Sequence, residues 1–317
     1  MDNLKIAIIG QGIIGVSSAL AILEKYPNAQ VTIFGDRSFE ETCSYGPSGH
    51  FEVDRDVYKD WAKASFLKFA EIYRDHNPDV TGVKLISNFH ISDTLEKLQN
   101  LERCTKEFVY NLHWLEEREI KAIFSQPKKY CLFFTAYASE GKKYVPWLKE
   151  KCVQKGAKFL AEEVDVIINC AGSYAGKLAG DDEVIPVKGV ALEVYAPWHK
   201  HTYDYDCHTY AMPMGETVFI GTTRKVNCHS TKITDEERQD IMSRYEEFHP
   251  AMKNAKVVGE WCGIRGERAA GICRLESQKR TLISGKQYQV IHNYGHGGYG
   301  FILHWGCALK VIELLGC

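Results

Sequence analysis

The first 36 residues carry the pattern that most restricts the fold of this chain. Lys5–Ile9 is a short apolar run typical of a buried parallel strand, and it is followed directly by the turn Gly10-Gln11-Gly12-Ile13-Ile14-Gly15. Residues 13–23 keep helical apolar spacing until Tyr26-Pro27-Asn28 breaks it, and Gln30–Phe34 is predicted to be a second strand. A strand, a crossover helix and a parallel strand within about 35 residues predict an α/β fold with a doubly wound, Rossmann-like sheet.

The glycine-rich turn has the spacing and position of a dinucleotide-binding site. In G-x-G-x-x-G the first glycine permits the tight turn, the second lets a pyrophosphate approach the backbone, and the third lets the helix pack on the sheet. The helix N-terminus then stabilises the phosphates. Asp36 follows about 20 residues past Gly15, where an acid usually accepts the ribose hydroxyls, so FAD or NAD is favoured. Arg37 could instead face a 2′-phosphate, which keeps NADP open, and a solvated Asp-Arg pair is the non-functional alternative.

The rest of the chain indicates a second domain interleaved with the first. Residues 51–75 and 94–120 are predicted to be helical, and Val83–Ser92 alternates like a strand. Several β-rich runs between residues 187 and 223 indicate an antiparallel sheet. We predict a dinucleotide-binding domain from residues 1–53, 144–186 and 276–317, interleaved with an α+β substrate domain, built on an antiparallel sheet, from residues 54–143 and 187–275.

Composition excludes several classes of function. A net charge of −2 without a long run of Lys or Arg predicts no nucleic-acid partner. Glycines interrupt the apolar segment at residues 6–23, so neither a signal peptide nor a membrane span is expected. The 11 cysteines are irregularly spaced and form no C-x-x-C pair, which predicts reduced thiols in a reducing compartment and no metal site.

A second glycine-rich loop, His292-Asn293-Tyr294-Gly295-His296-Gly297-Gly298-Tyr299-Gly300, precedes the last predicted helix. Such a loop can bring bare backbone against a flat ring. If a flavin's pyrimidine edge lies at this helix N-terminus, the dipole stabilises the anion formed when the ring accepts a hydride. A structural turn is the alternative, and His296 is given no catalytic role, since most single histidines are structural.

Several motifs occur together in a characteristic order: Gly10 to Gly15, Asp36-Arg37, Asn169-Cys170-Ala171-Gly172, Ala196-Pro197-Trp198, Tyr210-Ala211-Met212-Pro213, Gly263-Ile264-Arg265 and residues 292–306. In this order the chain resembles, over nearly its whole length, the D-amino-acid oxidase and D-aspartate oxidase family of flavoproteins. The resemblance implies an FAD-binding domain and FAD-dependent oxidation of a small-molecule D-amino acid by dioxygen, giving a 2-oxo acid, ammonia and hydrogen peroxide. The protein then mainly orients the reactants and supplies electrostatics.

The resemblance also implies which residues form the site. Arg265 matches the arginine that holds the α-carboxylate in a bidentate pairing, and Tyr210 matches a tyrosine that hydrogen-bonds the same group. Gly298 stands where a backbone carbonyl receives the substrate amine. The implied cofactor-binding positions are Gly10, Gly12, Ile13, Ile14, Gly15, Asp36, Arg37, Thr42, Cys43, Ser44, Gly49, Gly172, Gly297, Gly298, Gly300, Phe301 and Ile302.

Arg224, in Gly221-Thr222-Thr223-Arg224, distinguishes the branches of the family. D-aspartate oxidases carry an arginine there that pairs with the second carboxylate, so the resemblance implies an acidic substrate, D-aspartate or D-glutamate. A second side-chain arginine, expected in a lid between Trp198 and Tyr210, is absent. Lys200 or a histidine of that stretch could substitute only in part.

The sequence also departs from the family. Ile302 stands where the family has Thr or Ser at the flavin edge, which removes a hydrogen bond. The loop after Gly49 is short and lacks a proline, and residues 158–164 are abbreviated where relatives have an FAD-contacting strand, which leaves FAD retention open. A glycine- or sarcosine-type FAD amine oxidase and a degenerate, non-catalytic nucleotide-binding homologue are the alternatives. The last residues match no peroxisomal tripeptide, so a cytoplasmic location is favoured over a peroxisomal one, and the oligomeric state is left open.

Overall fold

The strand–turn–helix–strand unit predicted at the N-terminus is present in the computed structural model, which describes residues 4–46, 49–158, 164–206, 208–281, 285 and 287–316. The strands are β1 Lys5–Ile9, β2 Gln30–Phe34, β3 Val83–Ser92, β4 Tyr110–Trp114, β5 Tyr130–Ser139, β6 Val166–Asn169, β7 Val184–Tyr195, β8 Thr202–Tyr205, β9 Thr209–Met214, β10 Thr217–Gly221, β11 Lys225–Val226, β12 Val257–Arg268, β13 Arg274–Thr281 and β14 Gln287–Tyr294. The helices are α1 Ile13–Lys25, α2 Lys59–Asp75, α3 Pro78–Thr81, α4 Leu95–Thr105, α5 Glu117–Ile123, α6 Gly141–Gln154, α7 Ala175–Ala179, α8 Asp235–Phe248 and α9 Gly300–Leu315.

The first sheet has the order β13-β14-β6-β1-β2. Strands β1, β2, β6 and β14 run parallel, and β13 adds an antiparallel edge. Ile6 and Ile8 in β1 are fully buried, as expected for a parallel strand covered on both faces. Helices α1 and α9 pack closely against each other beside this sheet, so the first and last segments of the chain meet. The predicted Rossmann-like sheet is confirmed.

The second sheet has the order β11-β7-β10-β9-β8-β3-β5-β4, and β12 also pairs with β7. Its pairings are antiparallel except for β3 with β8. Strands β7 and β12 pair along almost their full lengths, which fixes Arg265 opposite Val187. Helix α8 covers part of this sheet, where Val190, Ile220 and Ile241 share one core cluster. This is the mainly antiparallel sheet that the β-rich runs predicted.

The two sheets draw on alternating stretches of the chain, as expected for interleaved units. The boundaries at residues 53, 143, 186 and 275 stay a prediction. Helix α2, which the sequence assigned to the substrate domain, packs on α9, where the Ser65 hydroxyl accepts hydrogen bonds from the backbone of Trp305 at 3.1 Å and Gly306 at 3.2 Å. None of the helices among the described residues combines the length and apolar character needed to cross a membrane.

Two helical predictions were too long. Residues 94–120 contain strand β4 between α4 and α5, and the helix predicted from residue 51 begins only at Lys59. Strand β4 pairs with β5, where Trp114 lies opposite Leu132. A short edge strand of this kind is determined by its partner more than by its own residues, so the local pattern could not reveal it.

Candidate active site

The glycine-rich turn between β1 and α1 is built as its spacing requires. Gly10 has a φ of +116°, and a Cβ on it would lie 2.3 Å from the carbonyl oxygen of Cys170 at the end of β6. A Cβ on Gly15 would lie 1.9 Å from the carbonyl oxygen of Gly10. Both positions therefore exclude a side chain, and the backbone turns tightly above the carboxyl ends of β1 and β6, where open α/β sheets bind ligands.

The N-terminus of α1 offers backbone donors to an anion. Gly12 at the N-cap supplies no side-chain acceptor, and the hydroxyl of Ser44 accepts from the N–H of Ile13 at 2.9 Å. A Cβ on Gly300, at the start of α9, would lie 3.8 Å from the side chain of Ile13. The two helix N-termini thus converge, and their positive ends suit the pyrophosphate of a dinucleotide.

Asp36 and Arg37 lie beyond the carboxyl end of β2. The guanidinium of Arg37 donates from Nε and Nη2 to the two carboxylate oxygens of Asp36, both at 3.1 Å, and lies 4.7 Å from the ring centroid of Tyr174. This hydrogen bonding by Arg37 lowers the pKa of Asp36. Asp36 is exposed and ionised at the position where an acid accepts ribose hydroxyls, while Arg37 is already engaged by neighbours.

The remaining predicted cofactor positions are drawn together from distant segments. The Cys43 thiol donates to the carbonyl oxygen of Ile264 at 2.8 Å, and Thr42 donates to Phe39 at 2.7 Å. A Cβ on Gly49 would lie 2.3 Å from the Cβ of Phe301. A Cβ on Gly266 would lie 2.9 Å from the carbonyl oxygen of Gly172, and a Cβ on Gly297 would lie 2.6 Å from the side chain of Glu267.

Ile302 is 6% exposed and packs in the apolar core, so its side chain offers no polar group. Of the shortened segment, Lys158 pairs with Thr32, and residues 159–163 lie outside the described residues.

Arg265 lies on β12 beside the second glycine-rich loop. Its guanidinium packs over the backbone of β7, where a Cβ on Gly189 would lie 3.1 Å from Nη2. A Cβ on Gly298 would lie 3.8 Å from Nη1. The buried Nε has no hydrogen-bond partner among the described residues, and those residues give Arg265 no ion pair. A partly buried guanidinium without a carboxylate is costly, so this position suits an anion.

Tyr210 lies on β9 near Arg265. Burial raises the pKa of the Tyr210 hydroxyl to about 12, while the charge of Arg265 and a hydrogen bond with Thr222 act in the opposite direction. The hydroxyl therefore stays protonated at neutral pH and is available as a donor. The structure thus brings together Tyr210, Arg265 and Gly298, the three residues predicted from the sequence to hold the reacting end of the substrate.

Arg224 lies between β10 and β11 and is paired with an acid. Its Nη2 donates to Oε2 of Glu267 at 2.7 Å, and its side chain is 52% exposed. Glu267 is two residues from Arg265 on β12, so the two side chains project from the same face of that strand. Arg224 therefore reaches the same surroundings as Arg265, through an acid that contacts Gly297.

Sequence reasoning missed several residues of this region. Glu267 and Gly189 carried no motif, and only the pairing of β7 with β12 shows where they lie. In the stretch between Trp198 and Tyr210, where a lid is expected, Thr202–Tyr205 forms β8 in the sheet and pairs with β3 and β9. Lys200 is exposed, and His199 is 3% exposed and packs against Tyr203 and His249. Cys207 lies outside the described residues.

A glycine-rich turn before a helix N-terminus, beside a second sheet that carries a partly buried arginine and a protonated tyrosine, suits a dinucleotide-dependent oxidoreductase. The model of the family described as FAD dependent oxidoreductase matches residues 5–314, and the chain belongs to that family. FAD, rather than NAD or NADP, is therefore confirmed as the dinucleotide of the fold.

Individual relatives agree with this assignment. The chain is 45% identical to D-aspartate oxidase 2 of Caenorhabditis briggsae, over 98% of this chain and 97% of that protein. It is 44% identical to D-aspartate oxidase 1 of Caenorhabditis elegans, over 98% of this chain and 96% of that protein. Among solved structures, glycine oxidase from Bacillus cereus has a TM-score of 0.82 at 18% identity, over 99% of this chain and 95% of that chain, which shows a shared fold.

Proposed function

We propose that this protein is an FAD-dependent D-amino-acid oxidase that prefers acidic substrates, D-aspartate above all, with dioxygen as electron acceptor. The observation that carries the proposal is the pair of arginines around the second glycine-rich loop. Arg265 offers a guanidinium with no acidic partner among the described residues, and Arg224 offers a second one through Glu267. A substrate with two carboxylates suits this pair better than one with a single carboxylate.

Each residue of the proposed substrate site contacts one group of the substrate. Arg265 pairs with both oxygens of the α-carboxylate, and Tyr210 donates a hydrogen bond to the same group. The carbonyl of Gly298 accepts from the amine, which orients the Cα–H bond. Arg224 pairs with the side-chain carboxylate. Because these groups are fixed to strands β9 and β12 and to the loop that starts α9, they hold the substrate in one orientation.

The residues present fit the cofactor that the family uses. The backbone of Gly12, Ile13 and Ile14, at the N-terminus of α1, would hold the pyrophosphate, and Asp36 would accept the ribose hydroxyls. The loop at Gly297–Gly300 would lie against the ring, with the N-terminus of α9 stabilising negative charge there. Bound FAD supplies a hydride acceptor for Cα and passes the electrons to dioxygen, with release of peroxide.

The proposal is tested by the visible spectrum of the purified protein under anaerobic conditions. We expect a yellow protein whose flavin absorbance bleaches on addition of D-aspartate, with no bleaching by L-aspartate as the matched control. Bleaching by glycine or sarcosine but not by D-aspartate would instead identify a glycine-type amine oxidase. A colourless protein that takes up no FAD would identify a degenerate nucleotide-binding homologue.

A further inference from the structure

Three potential metal ligands meet in the core although they lie far apart in the sequence. Cys273 directly precedes β13, His296 lies in the second glycine-rich loop, and Cys307 lies in the second turn of α9. One ligand atom from each residue lies within 4.8 Å of the others. Because the ligands come from three elements, no C-x-x-C spacing marks them, and the sequence prediction of no metal site rested on that spacing.

The three residues form a buried cluster that also has an unsatisfied nitrogen. Cys273 is 5% exposed, His296 is 7% exposed and Cys307 is fully buried. Nε2 of His296 has no hydrogen-bond partner among the described residues. A buried polar atom without a partner costs free energy, and coordination to a metal would remove that cost.

The charges of the cluster suit a divalent cation. A cysteine binds a metal as its thiolate, and a histidine binds it as the neutral imidazole. Two thiolates and a neutral imidazole around a divalent cation give a neutral centre, which avoids burying net charge.

A second potential ligand group shows what is distinctive about this one. His50, Glu52 and Asp204 also lie within 4.8 Å of one another, but Lys97 lines the adjoining cavity of about 10 Å³. Lys97, whose Nζ lies 3.5 Å from Oδ1 of Asp206, thus already brings positive charge to this cavity. At the cysteine cluster the hydroxyl of Tyr58, a neutral group, accepts from the backbone N–H of Cys273 at 2.9 Å.

We propose that Cys273, His296 and Cys307 bind one zinc ion. Thiolate and imidazole ligands favour zinc among the common divalent ions, and a water molecule completes the tetrahedron, since the cluster contains no fourth Cys, His, Asp or Glu among the described residues. The ion joins the loop at His296 to β13 and α9. It is therefore a structural site that fixes the position of Gly297 and Gly298, and it does not depend on which substrate the enzyme oxidises.

The test is the metal content of the full-length, flavin-bound protein after dialysis into metal-free buffer, measured by inductively coupled plasma mass spectrometry. We expect about one zinc per chain for the wild type and less than about a tenth of that for Cys273→Ser and His296→Gln. Cys131→Ser is the matched control, because Cys131 is a fully buried free cysteine on β5 that is not part of the cluster. It should keep its zinc.

A measurement on the wild type alone guards against variants that fail to fold. X-ray absorption at the zinc edge should show two sulfur ligands at about 2.3 Å and nitrogen or oxygen ligands at about 2.0 Å. A metal-free wild type after growth with added zinc, a shell without sulfur, or loss of zinc in Cys131→Ser would overturn the proposal. A metal-free chain lighter by two hydrogens, with Cys273 and Cys307 joined in a peptide map, would overturn it in favour of a disulfide. Zinc content is read whether or not D-aspartate is oxidised, so failure here is distinct from failure of the proposed oxidase activity.

Discussion

Arg265 and Arg224 surround the same loop but are held in opposite ways. Arg265 lies over the backbone at Gly189 and has no ion pair among the described residues, whereas Arg224 is half-exposed and already paired with Glu267 at 2.7 Å. In the role proposed for Arg265, binding a carboxylate breaks no existing ion pair, so this arginine is preorganised for it. In the role proposed for Arg224, its guanidinium either exchanges Glu267 for the substrate or is oriented by Glu267 towards it. The proposed recognition of the α-carboxylate thus depends on a partly buried arginine, and the proposed selection for an acidic side chain depends on a half-exposed one.

The largest expected effect comes from removing the preorganised arginine. With Arg265→Ala we expect kcat/KM for D-aspartate to fall about 10³-fold, on the order of 4 kcal/mol, because a desolvated charge pair is lost. D-Alanine should lose as much, since it has the same α-carboxylate. Arg265→Lys should recover little activity, because an ammonium does not reproduce the bidentate fork.

Steady-state oxygen consumption measures this, with Arg280→Ala as the control. Arg280 is an exposed arginine on β13 whose Nη2 donates to Gln278 in the same strand, and its loss should change kcat/KM by less than about twofold. If Arg265→Ala left turnover of D-alanine unchanged, Arg265 would recognise the substrate side chain and not the α-carboxylate. Its role would then not differ from the role proposed for Arg224.

Charged side chains that are mostly buried lie close to Tyr210. Nε2 of His50 lies 3.3 Å from Oε2 of Glu52 and 3.7 Å from Oδ2 of Asp204, and the rings of His90 and Tyr210 lie 6.2 and 6.0 Å from the His50 ring. Burial lowers the pKa of His50, but hydrogen bonds with Asp204 and Glu52 outweigh it and raise the pKa to about 10. His50 is thus an imidazolium at neutral pH, behind Tyr210.

The raised pKa of His50 predicts the direction in which stability changes with pH. Because the pKa of His50 is raised on folding, its stabilising effect is complete below about pH 6.5 and is lost as the pH rises towards 10. We expect the free energy of unfolding to fall by roughly 2–4 kcal/mol over that window from this group. Urea unfolding at several pH values measures it, against a Glu52→Gln, Asp204→Asn variant in which His50 has no anionic partners. The same slope in both proteins would show that His50 does not contribute it.

The sequence predicts features that depend on local sterics. The turn at Gly10 and Gly15 and strand Val83–Ser92 were predicted at their observed positions, because close backbone approach and strand alternation leave signals within a few residues. Sites formed between segments leave no such signal. His50 meets Asp204 only because Gly49 bridges to Ser139 on β5, in the sheet that also contains β8, and Glu267 meets Arg224 only through the register of β12 on β7.

The sequence pointed to both arginines but not to how each one is held. Arg224 and Arg265 were both found through their motifs, but nothing in those motifs distinguishes a paired arginine from an unpaired one. That distinction depends on Glu267, whose side chain is placed by long-range strand pairing. For the same reason the sequence did not predict that Cys273, His296 and Cys307 lie together, because they belong to three different segments.

Removing Arg224 should reduce activity less than removing Arg265, and mainly on acidic substrates. With Arg224→Ala we expect kcat/KM for D-aspartate to fall roughly 10- to 30-fold, because the half-exposed ion pair is screened by solvent, and for D-alanine or D-methionine less than about twofold. The neutral substrates are the internal control for folding and FAD content. Equal losses on acidic and neutral substrates would remove Arg224 from substrate selection.

The smallest effect should come from Glu267, and its sign decides how Arg224 is used. If Glu267 competes with the substrate, Glu267→Gln keeps the shape of the side chain but releases Arg224, and KM for D-aspartate should fall about two- to fivefold with kcat unchanged. KM for D-alanine should not move, and the gain should shrink in high salt because an exposed ion pair is screened. A rise in KM for D-aspartate would mean that Glu267 orients Arg224 instead. Arg224 would then be preorganised as Arg265 is, by an acid rather than by the backbone.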